Sequence, residues 1–143
     1  MIRSVLAVLA GVVVLTLTSF AIEFAVNPLL MWGFPETLPN AEALSSNVWV
    51  RVLTYSYGML CVAAGGYCAA IIAGRRPVTH AAALGLVQAG LTILAMFSPV
   101  ESHASRLQWI IIAILSVPAA LVGGLVYKGR KTDDGLEKAP ASA

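Results

Sequence analysis

The residues of this chain that could do chemistry begin with Glu23, the only carboxylate inside its four long apolar stretches. Ser19, Glu23 and Asn27 follow one another at a spacing of four, which places all three on one face of a helix. A charged side chain costs about 2.5–3.5 kcal/mol at the centre of a membrane helix, so it is seldom left there without a partner or water. The polar stripe is therefore expected to face protein.

The predicted partners of Glu23 are the polar side chains that lie at the same depth in the membrane. At about 1.5 Å per residue, counting from the basic ends of the stretches puts Glu23 at the outer edge of the hydrocarbon, level with Tyr55 and Arg106. We expect a structural ion pair or hydrogen bond with these side chains. A ligand-binding or proton-handling role and plain exposure to outer water are the alternatives. Gln88 counts to the midplane, where it would bond across helices or line a permeation path with Glu23.

The other reactive residue types form no set that is typical of catalysis or metal binding. His80 and His103 fall on opposite sides of the bilayer by the same count, so they cannot share an ion. Cys61 and Cys68 lie in one stretch without a CxxC motif, where thiols behave as small apolar side chains. No nucleophile–base pair, zinc spacing or phosphate-binding loop is present. The sequence therefore predicts no catalytic, cofactor or metal site, and its net charge of +2 gives no basic patch for nucleic acid.

The apolar stretches that must position these residues span about 5–32, 48–73, 78–97 and 107–127. Each reaches the length of about 20 residues that a helix needs to cross a bilayer. A hydrophobic content of 59% and a mean hydropathy of +0.85 are far above those of a soluble domain. We expect an all-α integral membrane four-helix bundle over residues 1–128. Residues 129–143 mix both charges with Pro140 and predict a disordered cytoplasmic tail.

The basic residues orient the predicted bundle. Seven of the nine lysines and arginines share one side: Arg3, Arg75, Arg76, Lys128, Arg130, Lys131 and Lys138. Arg51 and Arg106 fall on the other, so both termini are expected to be cytoplasmic. The start of the chain also resembles a secretory signal peptide, whose removal would leave three spans. Its apolar run continues to Trp32, however, beyond an h-region of about 7–15 residues, which favours an uncleaved first helix.

Small residues at a spacing of four mark the surfaces on which membrane helices approach closely. Every stretch has such a row, and the packing residues we predict are Gly11, Gly65, Gly85, Ala120 and Gly124. We interpret these rows as internal contacts of one bundle, and dimerisation is the alternative. Between the first two stretches, residues 40–44 predict a short surface helix in the outer loop. Trp32, Trp49 and Trp109 predict an interfacial belt on the same side.

Small residues and boundary charges recur through the second to fourth stretches, as Gly65-Gly66-Tyr67, Ala73-Gly74-Arg75-Arg76-Pro77 with His80, and Pro118-Ala119-Ala120 with Gly123-Gly124. This pattern resembles small bacterial four-helix membrane proteins to which no function is assigned. The resemblance implies a bacterial inner membrane protein and supplies no catalytic or binding residues.

A second comparison is with small multidrug resistance transporters, which are also short four-helix proteins with one glutamate in the first helix. The glutamate of that family lies near the midplane, whereas Glu23 counts to the outer edge. Some of its members insert in both orientations, which the one-sided charge of this chain forbids, and the long outer loop is a further departure. The comparison is therefore rejected.

We expect a non-enzymatic, multi-pass inner-membrane protein that serves as a structural or accessory subunit of a membrane assembly. Its expected partners are the lipid bilayer and other membrane subunits or a second copy of itself, without nucleic acid. The alternative is a small transporter or permeation component that uses Glu23 and Gln88. The two functions differ in whether a water-accessible cavity connects these two side chains.

Overall fold

The computed structural model describes residues 2–97 and 106–137, with side chains described for residues 3–97 and 106–130. The regular structure of the described residues consists of five helices: α1 (Ile2–Gly33), α2 (Ala41–Ser46), α3 (Val48–Ala73), α4 (Pro77–Met96) and α5 (Arg106–Glu137). The prediction of an all-α fold is confirmed for these residues. The helices α1, α3, α4 and α5 are long and apolar enough to cross a membrane. They match the four predicted stretches closely.

Local sequence signals set the helix starts around the outer loop. The side-chain oxygen of Asn40 accepts a hydrogen bond from the Ala43 amide at 2.8 Å, which caps the short helix α2. The side-chain oxygen of Asn47 accepts from the amides of Trp49 and Val50 at 2.9 and 3.3 Å, and it caps α3. Two helix starts are therefore encoded by two asparagines. The predicted short surface helix is α2.

A three-residue connection joins α3 to α4. Gly74 ends α3 with φ 67°, a left-handed conformation that glycine adopts without strain. Arg76 follows with φ 51°, and Pro77 then supplies the fixed φ that suits the first turn of α4. The chain therefore reverses direction within three residues, which makes α3 and α4 an antiparallel hairpin.

The helix α5 continues further than the sequence predicts. A disordered tail is expected from residue 129, whereas the backbone stays helical through Glu137. Extending an existing helix costs far less than starting one, and no proline interrupts residues 119–137. The last residues of the predicted tail, 138–143, lie outside the described residues.

The four long helices form a bundle with α3 and α4 at its centre. On one side, α1 packs along α3 and touches α4 more briefly, while on the other side α5 packs along both α3 and α4. We call the end that carries α2 the α2 end. The opposite end carries Arg3, the α3–α4 connection and Lys128, and we call it the basic end. The helices α1 and α5 lie on opposite sides of the central pair.

Glycine makes the close contact between α1 and α3. A Cβ atom placed on Gly65 would lie 2.7 Å from the carbonyl oxygen of Gly11 and 3.1 Å from Cβ of Leu15. A Cβ atom on Gly11 would in turn lie 2.8 Å from the carbonyl oxygen of Gly65 and would overlap the side chain of Leu84. Any larger residue at either position would push the two backbones apart.

The helices α3 and α5 each contain a pair of adjacent glycines, and each pair contacts two neighbouring helices. Gly65 faces α1, whereas a Cβ on the adjacent Gly66 would overlap the backbone of Ala120 in α5. On α5, a Cβ on Gly123 would overlap the carbonyl oxygen of Ala63, and one on Gly124 would lie 2.6 Å from Cβ of Ala81 in α4. Successive residues point about 100° apart around a helix, so a glycine pair lets two neighbouring helices approach at the same level.

The remaining contact joins α4 to α5 through the other predicted packing residues. A Cβ on Gly85 would lie 2.8 Å from the Val117 backbone and 3.1 Å from Cβ of Ala120. Ala120 itself is fully buried. The rows of small residues are thus used within one chain: Gly11, Gly65, Gly85, Ala120 and Gly124 all lie where helices of the same bundle meet.

Candidate functional site

Glu23 lies half-buried on α1, at a level between the packed core and the α2 end. The structure brings its carboxylate into electrostatic range of the Tyr57 hydroxyl on α3. The geometry of an antiparallel pair explains this approach. Side chains lean toward the amino terminus of their own helix, so Glu23 leans toward the basic end while Tyr57 leans toward the α2 end. The two polar groups therefore converge from different heights.

Two further residues interact with Tyr57. The Tyr57 hydroxyl lies 3.4 Å from Oγ1 of Thr54, to which it donates a hydrogen bond. Cys61, one turn further along α3, is in electrostatic range of Tyr57 and is only 3% exposed. We call Glu23, Thr54 and Tyr57 the Glu23 cluster. It contains one carboxylate and two hydroxyls, a set that can bind a cation or a proton but includes no nucleophile with an adjacent base.

The structure does not bring the predicted partners to Glu23. Arg106 begins α5, which lies across the central helix pair from α1. Tyr55 is half-buried on α3 but points about 200° around the helix from Tyr57. Within residues 3–97 and 106–130, Glu23 makes no hydrogen bond and no ion pair. The expected structural ion pair with Arg106 is therefore absent from the described part of the chain.

Tyr57 is the residue that the sequence reasoning missed. Counting depth along each helix compares heights only, and it ignores the direction in which a side chain points around the helix. The spacing contained the missing information, because Tyr57, Cys61 and Gly65 follow one another at intervals of four. They share one face of α3, and Gly65 marks that face as the side that contacts α1.

The hydroxyls near the middle of the bundle bond to their own helices. Ser116 is fully buried and donates to the carbonyl of Ile112 at 2.8 Å, and Thr92 donates to the carbonyl of Gln88 at 2.9 Å. On α1, Thr16 donates to the carbonyl of Val12 at 2.9 Å. Such bonds satisfy a hydroxyl without a second helix. The three hydroxyl donors are therefore satisfied within their own helices.

Gln88 is half-buried on α4, one turn from the fully buried Leu84. Apolar side chains are buried at about the level of Gln88. Leu15, which lies on the same row of α1 as Glu23, is 6% exposed, and Val62 on α3 is 3% exposed. These side chains belong to one contiguous core cluster, which does not include Gln88 or Glu23.

A groove of about 280 Å³ opens at the α2 end between α1, the outer loop and α3. Its lining is mostly apolar: Leu30, Phe34, Thr37, Leu38, Asn47, Trp49, Val50 and Leu53. The loop is held in place by two buried leucines, Leu38 and Leu44, which are 4% and 6% exposed. Neither Glu23 nor Gln88 lines this groove. The indoles of Trp32 and Trp49 stand exposed nearby, as residues of an interfacial belt would.

Residue types that bind metals do not converge in the described part of the chain. Among residues 3–97 and 106–130, no three His, Cys, Asp or Glu side chains lie close enough to hold an ion. At the basic end, Nδ1–H of His80 donates a hydrogen bond to the Arg76 carbonyl at 3.1 Å. His103 lies outside the described residues. Cys61 is buried and Cys68 half-buried, and both are free thiols.

No family model, curated protein or solved structure matches this chain. The resemblance to small bacterial four-helix membrane proteins therefore stays a prediction.

Proposed function

We propose that this chain is a small multi-pass membrane protein of non-enzymatic type, which serves as a structural or accessory subunit of a membrane assembly. The observation that carries this proposal is the closed packing of the bundle. Its glycine contacts bring backbones together, and its central hydroxyls bond to their own helices. Within residues 3–97 and 106–130, this packing supports a structural role.

The proposed location of the protein is the bacterial inner membrane, with both termini in the cytoplasm. Large apolar side chains cover the outside of the four long helices, for example Leu17 at 63%, Leu94 at 68% and Ile114 at 65% exposed. Such surfaces require lipid or another apolar protein surface in place of water. The excess of lysine and arginine at the basic end supports its cytoplasmic placement.

An assembly with unlike subunits is favoured over self-association by the use of the small residues. Close pairing of membrane helices needs rows of small residues on an outer surface. Gly11, Gly65, Gly85 and Gly124 are occupied by contacts within the chain. The exposed faces carry many large side chains, with small residues such as Gly90 between them. The large side chains suit lipid or a partner that supplies its own small residues.

A transport function is the second candidate, and one observation favours it. Glu23 is half-buried beside Tyr57 and makes no hydrogen bond or ion pair with the described residues. An ionisable side chain inside a membrane helix marks a candidate functional site. The apolar core cluster that contains Leu15 and Val62 argues against it, because a polar solute in such a core would lose its hydration.

One preparation can test both candidates. The full chain is extracted from its native membrane in lipid particles, and the mass of the assembly is measured by native mass spectrometry. The same material is then reconstituted in vesicles for proton-flux measurements. We expect an assembly heavier than the 15.0 kDa chain, containing an unlike subunit at fixed stoichiometry, and no proton flux. A chain that occurs alone and carries a flux abolished by Glu23→Gln would overturn the proposal in favour of transport.

A further inference from the structure

Three arginines from two separate segments lie at the basic end of the bundle. Nε of Arg3 in α1 donates a hydrogen bond at 3.0 Å to the carbonyl of Ile72, in the last turn of α3. The guanidinium of Arg3 also lies beside Gly74, where a Cβ atom would be 3.4 Å from its Nη2. Arg75 and Arg76 follow directly in the chain. We call Arg3, Arg75 and Arg76 the arginine cradle.

The backbone holds the cradle in shape. Gly74 and Arg76 both adopt positive φ, and Pro77 begins α4 immediately afterwards, so the connection that carries Arg75 and Arg76 is short and constrained. Arg3 is anchored because one of its N–H donors is used by the Ile72 carbonyl. A guanidinium has five N–H donors, so Arg3 keeps further donors for a ligand. All three side chains are exposed.

The cradle has no acidic neighbour among the described side chains. The carboxylates within residues 3–97 and 106–130 are Glu23, Glu36 and Glu42, and all three lie toward the α2 end. About 20 residues of helix separate Arg3 from Glu23, which corresponds to roughly 30 Å. Three positive charges therefore face outward together, and the complementary ligand is an anion.

An apolar surface adjoins the cradle on the side of the bundle. Val5 and Leu6 on α1 are 59% and 55% exposed, and Ile71 and Ile72 on α3 are 43% and 37% exposed. These side chains lie within one turn of the arginines along the two helices. The exposed apolar surface extends from them toward the middle of the bundle. A ligand that matches both features has an anionic head beside the arginines and hydrocarbon chains along α1 and α3.

We propose that the arginine cradle binds the phosphate head group of an anionic phospholipid, whose acyl chains lie along the exposed apolar side chains of α1 and α3. This inference rests on the proposed membrane insertion of the bundle but not on its function as a subunit. Arginine suits this ligand because its planar donors bind two phosphate oxygens at once. The bound lipid would join α1 to the α3–α4 hairpin at the membrane surface.

The test uses native mass spectrometry of the full chain in a non-ionic detergent, titrated with dioleoyl phosphatidylglycerol or dioleoyl phosphatidylcholine. These lipids share their acyl chains and differ in head-group charge. We expect the anionic lipid to bind more tightly. Each basic residue near an anionic surface is worth about fivefold in affinity, so the double variant Arg75→Gln/Arg76→Gln should bind phosphatidylglycerol about 30-fold more weakly. The Arg3→Gln variant should lose about fivefold.

The matched control is Arg130→Gln, which removes one positive charge from the same end of the bundle but outside the cradle. We expect its affinity for phosphatidylglycerol to change by less than about twofold. Circular dichroism of every variant checks that the helices are intact, and Arg75→Gln alone replaces the double variant if the latter does not fold. An Arg130→Gln loss equal to that of the cradle variants would overturn the proposal.

Equal affinity for the two lipids would also overturn the lipid proposal. Complete displacement of the lipid by inorganic phosphate would overturn it too, because it would identify a simple anion site. The outcome is separable from the proposed function. Reporter fusions after Arg130 test membrane orientation, and the assembly mass tests the subunit role. Lipid preference in detergent depends on neither result, so the cradle and the subunit proposal can fail independently.

Discussion

Replacing Gly123 by alanine should push α3 and α5 apart. The added Cβ atom would overlap the carbonyl oxygen of Ala63 and would lie 2.7 Å from the amide nitrogen of Tyr67. Both neighbours are backbone atoms of α3, so no rotamer change can relieve the overlap. The helices must separate, and they must do so beside the edge-to-face contact of Tyr67 and Tyr127, whose ring centroids are 5.9 Å apart.

The size of the effect follows from three opposing contributions. Overpacking a close contact costs about 1–3 kcal/mol. Separating the two tyrosine rings costs about 0.5–1.5 kcal/mol more. Alanine has a higher helix propensity than glycine, which returns about 1 kcal/mol. We therefore expect Gly123→Ala to lower the free energy of unfolding by a net amount of about 0.5–3.5 kcal/mol.

The matched control is Gly90→Ala in α4, where no atom lies within 4 Å of the new Cβ. It makes the same chemical change without the overlap, so it should be neutral or stabilise the chain by up to about 1 kcal/mol. Thermal unfolding in detergent, followed by circular dichroism, should separate the two variants. One kcal/mol corresponds to a shift of about 2–4 °C in Tm for a chain of this size. A Gly123→Ala chain that melts at or above the Gly90→Ala chain would refute the reasoning.

Three further outcomes are expected. Asn47→Ala removes the acceptor for the first amides of α3 and should cost about 1 kcal/mol, and an unchanged Tm would show that the cap contributes nothing. A Cβ atom at position 65 would lie 2.7 Å from the Gly11 carbonyl oxygen, so Gly65→Leu should lower Tm strongly. A Cβ atom at position 58 would have no atom within 4 Å, so Gly58→Leu should not lower Tm strongly. Glu23→Gln should leave Tm unchanged, since no described residue bonds to the carboxylate, and a large destabilisation would reveal a bonded partner.

The helices and their ends could be predicted closely from the sequence. Apolar length alone identifies the four long helices, because only a helix satisfies its own backbone groups in hydrocarbon. Asn40, Asn47 and Gly74 are local signals whose effect does not depend on distant residues. The end of α5 is different, because residues 129–137 have neither a strong start nor a strong stop signal.

The surroundings of Glu23 could not be predicted with the same success. Height along the bundle follows from residue number, and it placed Glu23 between the core and the α2 end. Choosing between Tyr55 and Tyr57 requires the direction of each side chain around α3 relative to α1. Arg106 could be a partner of Glu23 only if α5 lay beside α1, whereas the structure places α5 across the central helix pair from α1. Neighbours among helices depend on all the packed surfaces at once.

The sequence by itself determined that this protein has four long apolar helices, where each begins, which end carries the basic charge, and which residues are small enough for close contact. These properties depend on residue type and spacing along one helix. Only the tertiary structure decided that Gly65 meets α1 while Gly66 meets α5, that Glu23 comes into electrostatic range of Tyr57, and that Arg3 bonds to the end of α3. Each of these depends on which helix faces lie together, and small-residue rows, being alike in every helix, do not specify their own partners.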